Sequence, residues 1–308
     1  MADICLTYLS SQQVKALWTS SSPDTQNTPF LEYCSVYWGV HAKRELSNCA
    51  NSLSLELLKV DYCPRSTKLL LAQVKGLYLQ NYSTYFPFSG LHCVSLFGIM
   101  EVVTGLIQMR CCDINAGDFF GFTPLAWAAH KVNGHEEVVK FLHECKEVDP
   151  DKPYNTGKIP LSHAASFGHE GVLKILPERE EVNPDKPNND SWTPLTRAAL
   201  RGNEAVVKIL LSCEEVNADK PDDWGPTPLS YAASSRHERV VKILLEQEEV
   251  NPDKPTDSGR TLLELATENG HERVVALLHS HKAAIPSMIQ GTTSWKWPRP
   301  SPFGIGIP

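Results

Sequence analysis

Apolar positions in the second half of the chain recur every 34 residues. Each interval holds a run of small and apolar residues, then a turn signal, then a second apolar run. This pattern predicts two short helices per interval, repeated along the chain. The second run is marked by the valines Val138, Val172, Val206, Val240 and Val274.

One interval shows why helices are expected. Leu195, Ala198 and Ala199 are spaced i, i+3 and i+4, so they share one face of a helix. Thr193 is a favourable N-cap, and the proline after it suits the first helical position. Alanines on the buried face allow a neighbouring helix to come close.

The second helix of this interval is expected from Glu204, after a stop signal at Gly202. Its apolar residues, at 206, 207 and 209–211, are too many for one buried side. Both flanks must then be covered, which happens when similar units stack.

A Pro-rich, charged octapeptide joins successive units. Proline with Asp or Asn predicts a turn and excludes a continuing helix, so its role is architectural. The four copies are KEVDPDKP at 146–153, EEVNPDKP at 180–187, EEVNADKP at 214–221 and EEVNPDKP at 248–255.

Short motifs in each unit resemble the ankyrin repeat. The triplet Thr-Pro-Leu occurs at 123–125, 193–195 and 227–229. It is followed in register by Ala-Ala, by Gly-His or a variant of it, and by Val-Val. The resemblance covers residues 89–281. It implies an all-α repeat solenoid of stacked helix–loop–helix units with β-hairpin loops. We therefore expect six ankyrin repeats over 89–284, with the first and last degenerate, preceded by a small helical N-terminal region. The resemblance also implies that the histidines of the Gly-His pairs are structural, bonding backbone across the turn.

One unit departs from the pattern. Pro177 replaces a leucine of the second helix, Gly171 lies in the same helix, and Ile159 replaces the N-cap threonine. We expect a short or kinked second helix and a missing cap. The unit at Leu161 is thus the predicted weak joint of the stack.

The two ends lack the repeat. Residues 1–88 predict helices at 30–46, 54–60 and 68–79, with a polar loop at 19–28. The stretches ICLTYLS at 4–10 and PFLEYCSVYWGVHAK at 29–43 resemble the segment that joins a NACHT nucleotide-binding module to ankyrin repeats in fungal NLR-like receptors. Residues 285–308 are rich in Pro and Gly, which is typical of a disordered tail; the alternative is a short linear motif in polyproline II conformation.

Charge and motifs exclude several functions. The net charge of −7 argues against direct nucleic-acid binding. No phosphate loop, catalytic motif or metal-ligand spacing occurs, so we expect no enzyme activity, no cofactor, no metal and no small-molecule substrate. The nine cysteines include no CxxC pair and are read as reduced thiols. No segment has the length of a membrane span.

The remaining candidate is a surface. Residues two, five and six after each first-helix leucine should point outward at 100° per residue. In ankyrin proteins that face and the hairpin tips line a binding groove. The outward series is Trp127, His163, Arg197, Tyr231 and Leu265, and the tip residues are Phe119, Phe120, Tyr154, Trp192 and Trp224. For Trp192 and Trp224, packing against adjacent hairpins is the alternative.

These observations favour a non-enzymatic protein-binding scaffold. Its expected partner is another protein, such as a transcription factor or a signalling protein, with no membrane contact. The expected role is a regulatory adaptor or transcription co-regulator in the cytoplasm, the nucleus or both. The alternative is a truncated NLR-like receptor or sensor component that lacks its nucleotide-binding module.

Overall fold

A computed structural model of the chain describes residues 1–11, 29–42, 48–58, 88–110, 112–130, 134–256 and 259–284. These residues form 15 α-helices, and no β-strand is found among them. The expected all-α repeat solenoid is confirmed. No helix of the described ranges is long and apolar enough to cross a membrane. The expected polar loop at 19–28, the helix at 68–79 and the tail at 285–308 lie outside these ranges.

Among the described residues, three helices precede the repeats: α1 (Ala2–Ser10), α2 (Pro29–Ala42) and α3 (Asn48–Leu58). The helix expected at 30–46 corresponds to α2, and the one expected at 54–60 overlaps the end of α3. Six helix pairs follow, each with an inner helix and then an outer helix. They are α4 (Gly90–Phe97) with α5 (Met100–Gln108), α6 (Pro124–Ala128) with α7 (Glu136–Glu144), α8 (Pro160–Phe167) with α9 (Glu170–Ile175), α10 (Pro194–Arg201) with α11 (Glu204–Leu211), α12 (Pro228–Ser234) with α13 (Glu238–Leu245), and α14 (Leu262–Glu268) with α15 (Glu272–Ala284).

The repeated small residues set the spacing of the inner helices. The alanine pairs at 128–129, 164–165, 198–199 and 232–233 are fully buried. Successive inner helices contact each other there, and successive outer helices pack through the repeated valines. One continuous apolar core therefore runs along the stack, as expected for units that cannot bury their own faces alone.

The threonine caps form as expected. Thr193 Oγ1 accepts a hydrogen bond from the Thr196 N–H at 3.1 Å, and Thr227 and Thr261 accept equivalent bonds. Ile159 has no side-chain cap, also as expected. Each cap satisfies one of the amide groups that the first turn of a helix leaves without a partner.

The octapeptide joins neighbouring units by side chains as well as by the backbone. Its valine is buried in every copy, and its Asn183 Oδ1 accepts the Asp185 N–H at 2.8 Å to form a turn. Lys220 Nζ reaches back to the previous copy and contacts Asp185 Oδ2 at 2.7 Å. Lys186 and Lys254 repeat this contact. Burial raises the pKa of the Asp185 carboxyl, and the Lys220 ammonium group opposes this rise.

The repeated histidines bridge units at positions 135, 237 and 271, whereas the Nε2 of His169 is buried without a hydrogen-bond partner among the described residues. His135 Nε2 bonds the Leu96 carbonyl oxygen at 2.9 Å, and His237 Nε2 bonds that of Leu200 at 3.0 Å. The resemblance implied a bond across the histidine's own turn. The structure instead places the acceptor on the inner helix of the preceding unit, because the imidazole stacks under that unit's closing glycine.

The connecting loops are tight turns. In each, the backbone N–H at the turn start donates to the carbonyl oxygen four residues later, as from Asn188 to Trp192 at 3.0 Å. Paired strands were expected here from the family resemblance, but no strand is present among the described residues. The turns are closed by side chains such as Asn188, whose Oδ1 accepts the N–H groups of Asp190 and Trp192.

The unit at Leu161 has the predicted short outer helix. α9 has six residues, and a 3-10 turn, Leu176–Glu178, follows where Pro177 stands. That turn places Arg179 against the end of α7, where its Nη1 donates to the carbonyl oxygens of His143, Cys145 and Val148 at 3.3, 3.4 and 3.0 Å. These hydrogen bonds of Arg179 therefore attach the irregular unit to the preceding unit.

The N-terminal helices cover the end of the first repeat that would otherwise be exposed. Trp38 of α2 is fully buried and packs edge-on against Phe97 of α4, with ring centroids 5.6 Å apart. A Cβ at Gly39 would lie 2.1 Å from the Phe97 ring, so α2 approaches α4 closely only because residue 39 is glycine. A repeat array requires such a cap because its first unit otherwise exposes an apolar face.

Candidate functional site

The outward series does not form one exposed row. Trp127 is 1% exposed and packs against Phe88 and Phe122, with ring centroids at 5.6 and 5.3 Å. Its Nε1 donates to Asp118 Oδ2 at 3.1 Å. The expectation that Trp127 faces a partner is wrong, because the adjacent turn and the residues before the first repeat close over its ring.

The prediction that Tyr154 is a tip residue is also wrong. Tyr154 is 5% exposed and stacks on Phe122 at 4.0 Å, so it is not a tip residue. Burial, aided by the charge of Asp118, raises the pKa of its phenol well above the ordinary value. His163 is half-buried beside it and stacks on His130 at 5.2 Å.

A second group of side chains, which we name the central cluster, stays partly accessible in the fourth and fifth repeats. Its members Trp192, Arg197 and Tyr231 are all half-buried. The Arg197 guanidinium lies 4.3 Å from the centroid of the Trp192 ring, and this ring lies 4.7 Å from that of Tyr231. The Tyr231 hydroxyl donates to the Asp222 carboxylate.

Two further cations adjoin the central cluster. Burial first, and then the charge of Arg197, lowers the pKa of Lys158. Burial also lowers the pKa of Arg197; Asp190 opposes this and Arg201 adds to it. Arg197 therefore interacts with each of the other two cations, and Asp190 is the acid that acts on both Lys158 and Arg197. We include Lys158 and Arg201 in the central cluster from here on.

Of the four remaining predicted residues, Phe119 and Trp224 are exposed at turn tips, whereas Phe120 and Leu265 are half-buried. Phe119 is 39% exposed and touches Phe120 edge-on at 5.2 Å. Trp224 is 55% exposed, and its backbone N–H donates to Asp222 Oδ1 at 2.9 Å. Packing was the alternative for two tryptophans. Trp192 is half-buried and contacts Arg197 and Tyr231 of the inner helices, whereas Trp224 is exposed. Partner binding by these residues stays a prediction.

The described ranges contain no group of three or more His, Cys, Asp or Glu side chains that could hold a metal ion. The central cluster combines aromatic rings with cations, residue types that suit recognition of another surface.

Comparison with known proteins bears on this arrangement. A family model described as "Ankyrin repeats (3 copies)" matches residues 131–222 and 212–288, which together make up just over half of the chain. The chain is an ankyrin-repeat protein. No curated protein matched it. Nothing in these comparisons supports the resemblance of the N-terminal region to fungal NLR-like receptors.

Membership of this family indicates the general function of the repeat array. Ankyrin repeats mediate protein–protein interaction, which supports a protein partner for this ankyrin array.

Sequence reasoning missed Lys158 and Arg201 as members of the central cluster. Both could have been found, because Lys158 is 34 residues before Trp192 and Arg201 is six residues after Leu195, an outward position.

Proposed function

We propose that this ankyrin-repeat chain is a non-enzymatic scaffold that holds another protein on its inner-helix face. Its role is that of a regulatory adaptor or transcription co-regulator in the cytoplasm or nucleus. It contacts its partner directly and binds neither nucleic acid nor a small-molecule substrate. The observation that carries the proposal is the central cluster, where Trp192, Arg197 and Tyr231 share one accessible face with Trp224 nearby in sequence.

These residue types support binding more than stability. Trp, Tyr and Arg dominate the energetics of protein interfaces because they offer a large, rigid contact area with one polar end. Arg197 is held by its stacking on Trp192, so little side-chain freedom is left to lose when a partner binds. An exposed indole such as Trp224 is an expected anchor at the rim.

The experiment is affinity capture from the native host followed by mass spectrometry. Arg197→Ala and Trp224→Ala should each weaken capture of the same partner, by about 2 kcal/mol where the residue is a hot spot. Lys208→Ala, on an outer helix of the same array and exposed, is the matched control. Undiminished capture by both variants, with loss on deletion of residues 285–308, would assign binding to the tail.

The absence of catalysis is proposed on sequence grounds and has its own test. The chain lacks a phosphate loop, so calorimetry with ATP and magnesium should show no binding. A dissociation constant in the micromolar range would reject this part of the proposal.

The alternative of an NLR-like receptor component draws on one structural observation. Apolar side chains of α1 and α2 are exposed, namely Ile4 at 58%, Tyr37 at 44% and Val40 at 43%. Such a face is suited to contact with a further module. Capture of a NACHT-containing chain that is lost in Tyr37→Ala, and kept in Trp224→Ala, would favour this alternative over the adaptor.

A further inference from the structure

Positive charge gathers at one place on an acidic protein. The chain carries a net charge of −7, and Glu180, Glu181, Glu214 and Glu215 of the octapeptides are all exposed. The central cluster nevertheless combines three cations. Arg197 stacks on Trp192, and Arg201 follows it on α10 at a spacing of four residues, which makes the two side chains neighbours on the helix surface. The charge of Arg197 also acts on Lys158 and, after burial, lowers the pKa of its ammonium group.

This concentration is specific to the middle of the array. The positions equivalent to Lys158 are Phe122, Trp192 and Pro226, and those equivalent to Arg201 are Phe167, Ser235 and Asn269. Arg260, on the last repeat, is already paired with Glu268 at 2.9 Å. The fold therefore does not require cations at these positions, and neighbouring units fill them with neutral residues.

The acids near the central cluster are largely engaged elsewhere. Asp222 accepts bonds from the Tyr231 hydroxyl and the Trp224 N–H, and Asp223 Oδ1 accepts from Ser191 Oγ at 2.5 Å. Asp190 is exposed and is the one described carboxylate that acts on both Lys158 and Arg197. Lys158 and Arg197 thus share this one acid.

Arg197 offers a preorganised donor. Its guanidinium is stacked on Trp192, and its Nε is buried and has no hydrogen-bond partner among the described residues. A planar guanidinium held in this way presents its remaining N–H groups in a fixed fork, the geometry that carboxylates accept. A carboxylate bound here would replace repulsion between cations with charge-assisted hydrogen bonds.

We propose that the central cluster binds an acidic segment of the partner protein, with Asp or Glu carboxylates at Arg197, Lys158 and Arg201 and an apolar side chain against Trp192 and Tyr231. The inference rests on the proposed function and names the chemistry of the partner. The chain's own tail fits poorly, because its charged residues are Lys296 and Arg299. Nucleic acid fits poorly too, because the acidic surface around the cluster repels an extended phosphate backbone.

The test selects binders from a random-peptide display library on the full chain. The selected peptides should be enriched in Asp and Glu and depleted in Lys and Arg. For one selected peptide, affinity should fall about tenfold or more in the triple variant Lys158→Gln, Arg197→Gln, Arg201→Gln, and should fall steeply with added salt. The single variant Arg201→Gln changes an exposed side chain and should leave the fold intact. A loss of affinity in this variant therefore cannot be attributed to misfolding.

The matched control removes three charges from outer helices of consecutive units, with Lys140→Gln, Lys174→Gln and Lys208→Gln, all exposed. This variant should bind the peptide as the unaltered chain does. Equal losses in both triple variants would mean that net charge, and not the central cluster, governs binding, and would overturn the inference.

Other outcomes separate the two proposals. Neutral or basic peptides that still depend on Trp192 and Tyr231 would reject the acidic partner but keep the protein-binding face. Peptides unaffected by any inner-face substitution would reject both. Equal binding of a labelled single-stranded oligonucleotide, lost in the triple variant, would assign the cations to phosphate and overturn the acidic-peptide inference.

Discussion

Replacement of Trp127 tests whether the second position after the leucine belongs to the core. The indole is 1% exposed, and burying a side chain of this size removes about 200 Å² from water. At about 25 cal/mol per Å² this is worth about 5 kcal/mol, and substitutions of buried aromatic residues by alanine cost about 3–5 kcal/mol. We therefore expect Trp127→Ala to lower the free energy of unfolding by about 3–5 kcal/mol.

Urea unfolding followed by far-UV circular dichroism measures this change, with denaturant slopes compared because repeat arrays can unfold in parts. Trp127→Phe keeps most of the ring but removes the donor to Asp118, so a smaller loss of about 1–3 kcal/mol is expected. Trp224→Ala is the matched control, since that indole is 55% exposed, and its effect should be within about 0.5 kcal/mol. Equal midpoints for Trp127→Ala and Trp224→Ala would refute the reasoning.

Three further predictions concern the scaffold. Arg179→Met removes the clamp on three carbonyl oxygens at the end of α7 and should cost about 2 kcal/mol in urea unfolding, with part recovered in Arg179→Lys. Gly202→Ala should be more destabilising than Gly270→Ala by thermal melt; both have positive φ, but only at residue 202 would a Cβ meet a histidine ring, at 2.5 Å. Burial lowers the pKa of His92 to about 4, below its unfolded value of 6.5, so the unfolded chain takes up the proton first. The free energy of unfolding should therefore be highest above about pH 6.5 and fall by up to about 3 kcal/mol as the pH drops towards 4. In thermal melts across this range, the melting temperature of His92→Gln should decrease less with falling pH than that of the unaltered chain.

The candidate site was only partly predictable. The outward positions were counted from helix geometry, which places Arg197 and Tyr231 correctly on an accessible face. The same count fails for Trp127, because helix geometry does not include the turn that folds back over the helix. Trp127 and Tyr231 both bond an aspartate nine residues earlier, yet only Trp127 is also covered by Phe88 from outside the repeats.

The repeat could be predicted from local sequence. Local rules specify a threonine cap, a proline at the first helical position, a closing glycine and an apolar period. These rules act within a few residues, so the amino-acid sequence is enough to apply them. The contacts between units could not be predicted in this way. The lysine of one octapeptide bonds the aspartate of the one before it, each bridging histidine bonds the preceding inner helix, and Arg179 occupies the end of α7. Most of these contacts join residues about 31 to 39 positions apart in the chain. The partner that lies within reach depends on how the rigid units stack, and local propensity does not specify that stacking.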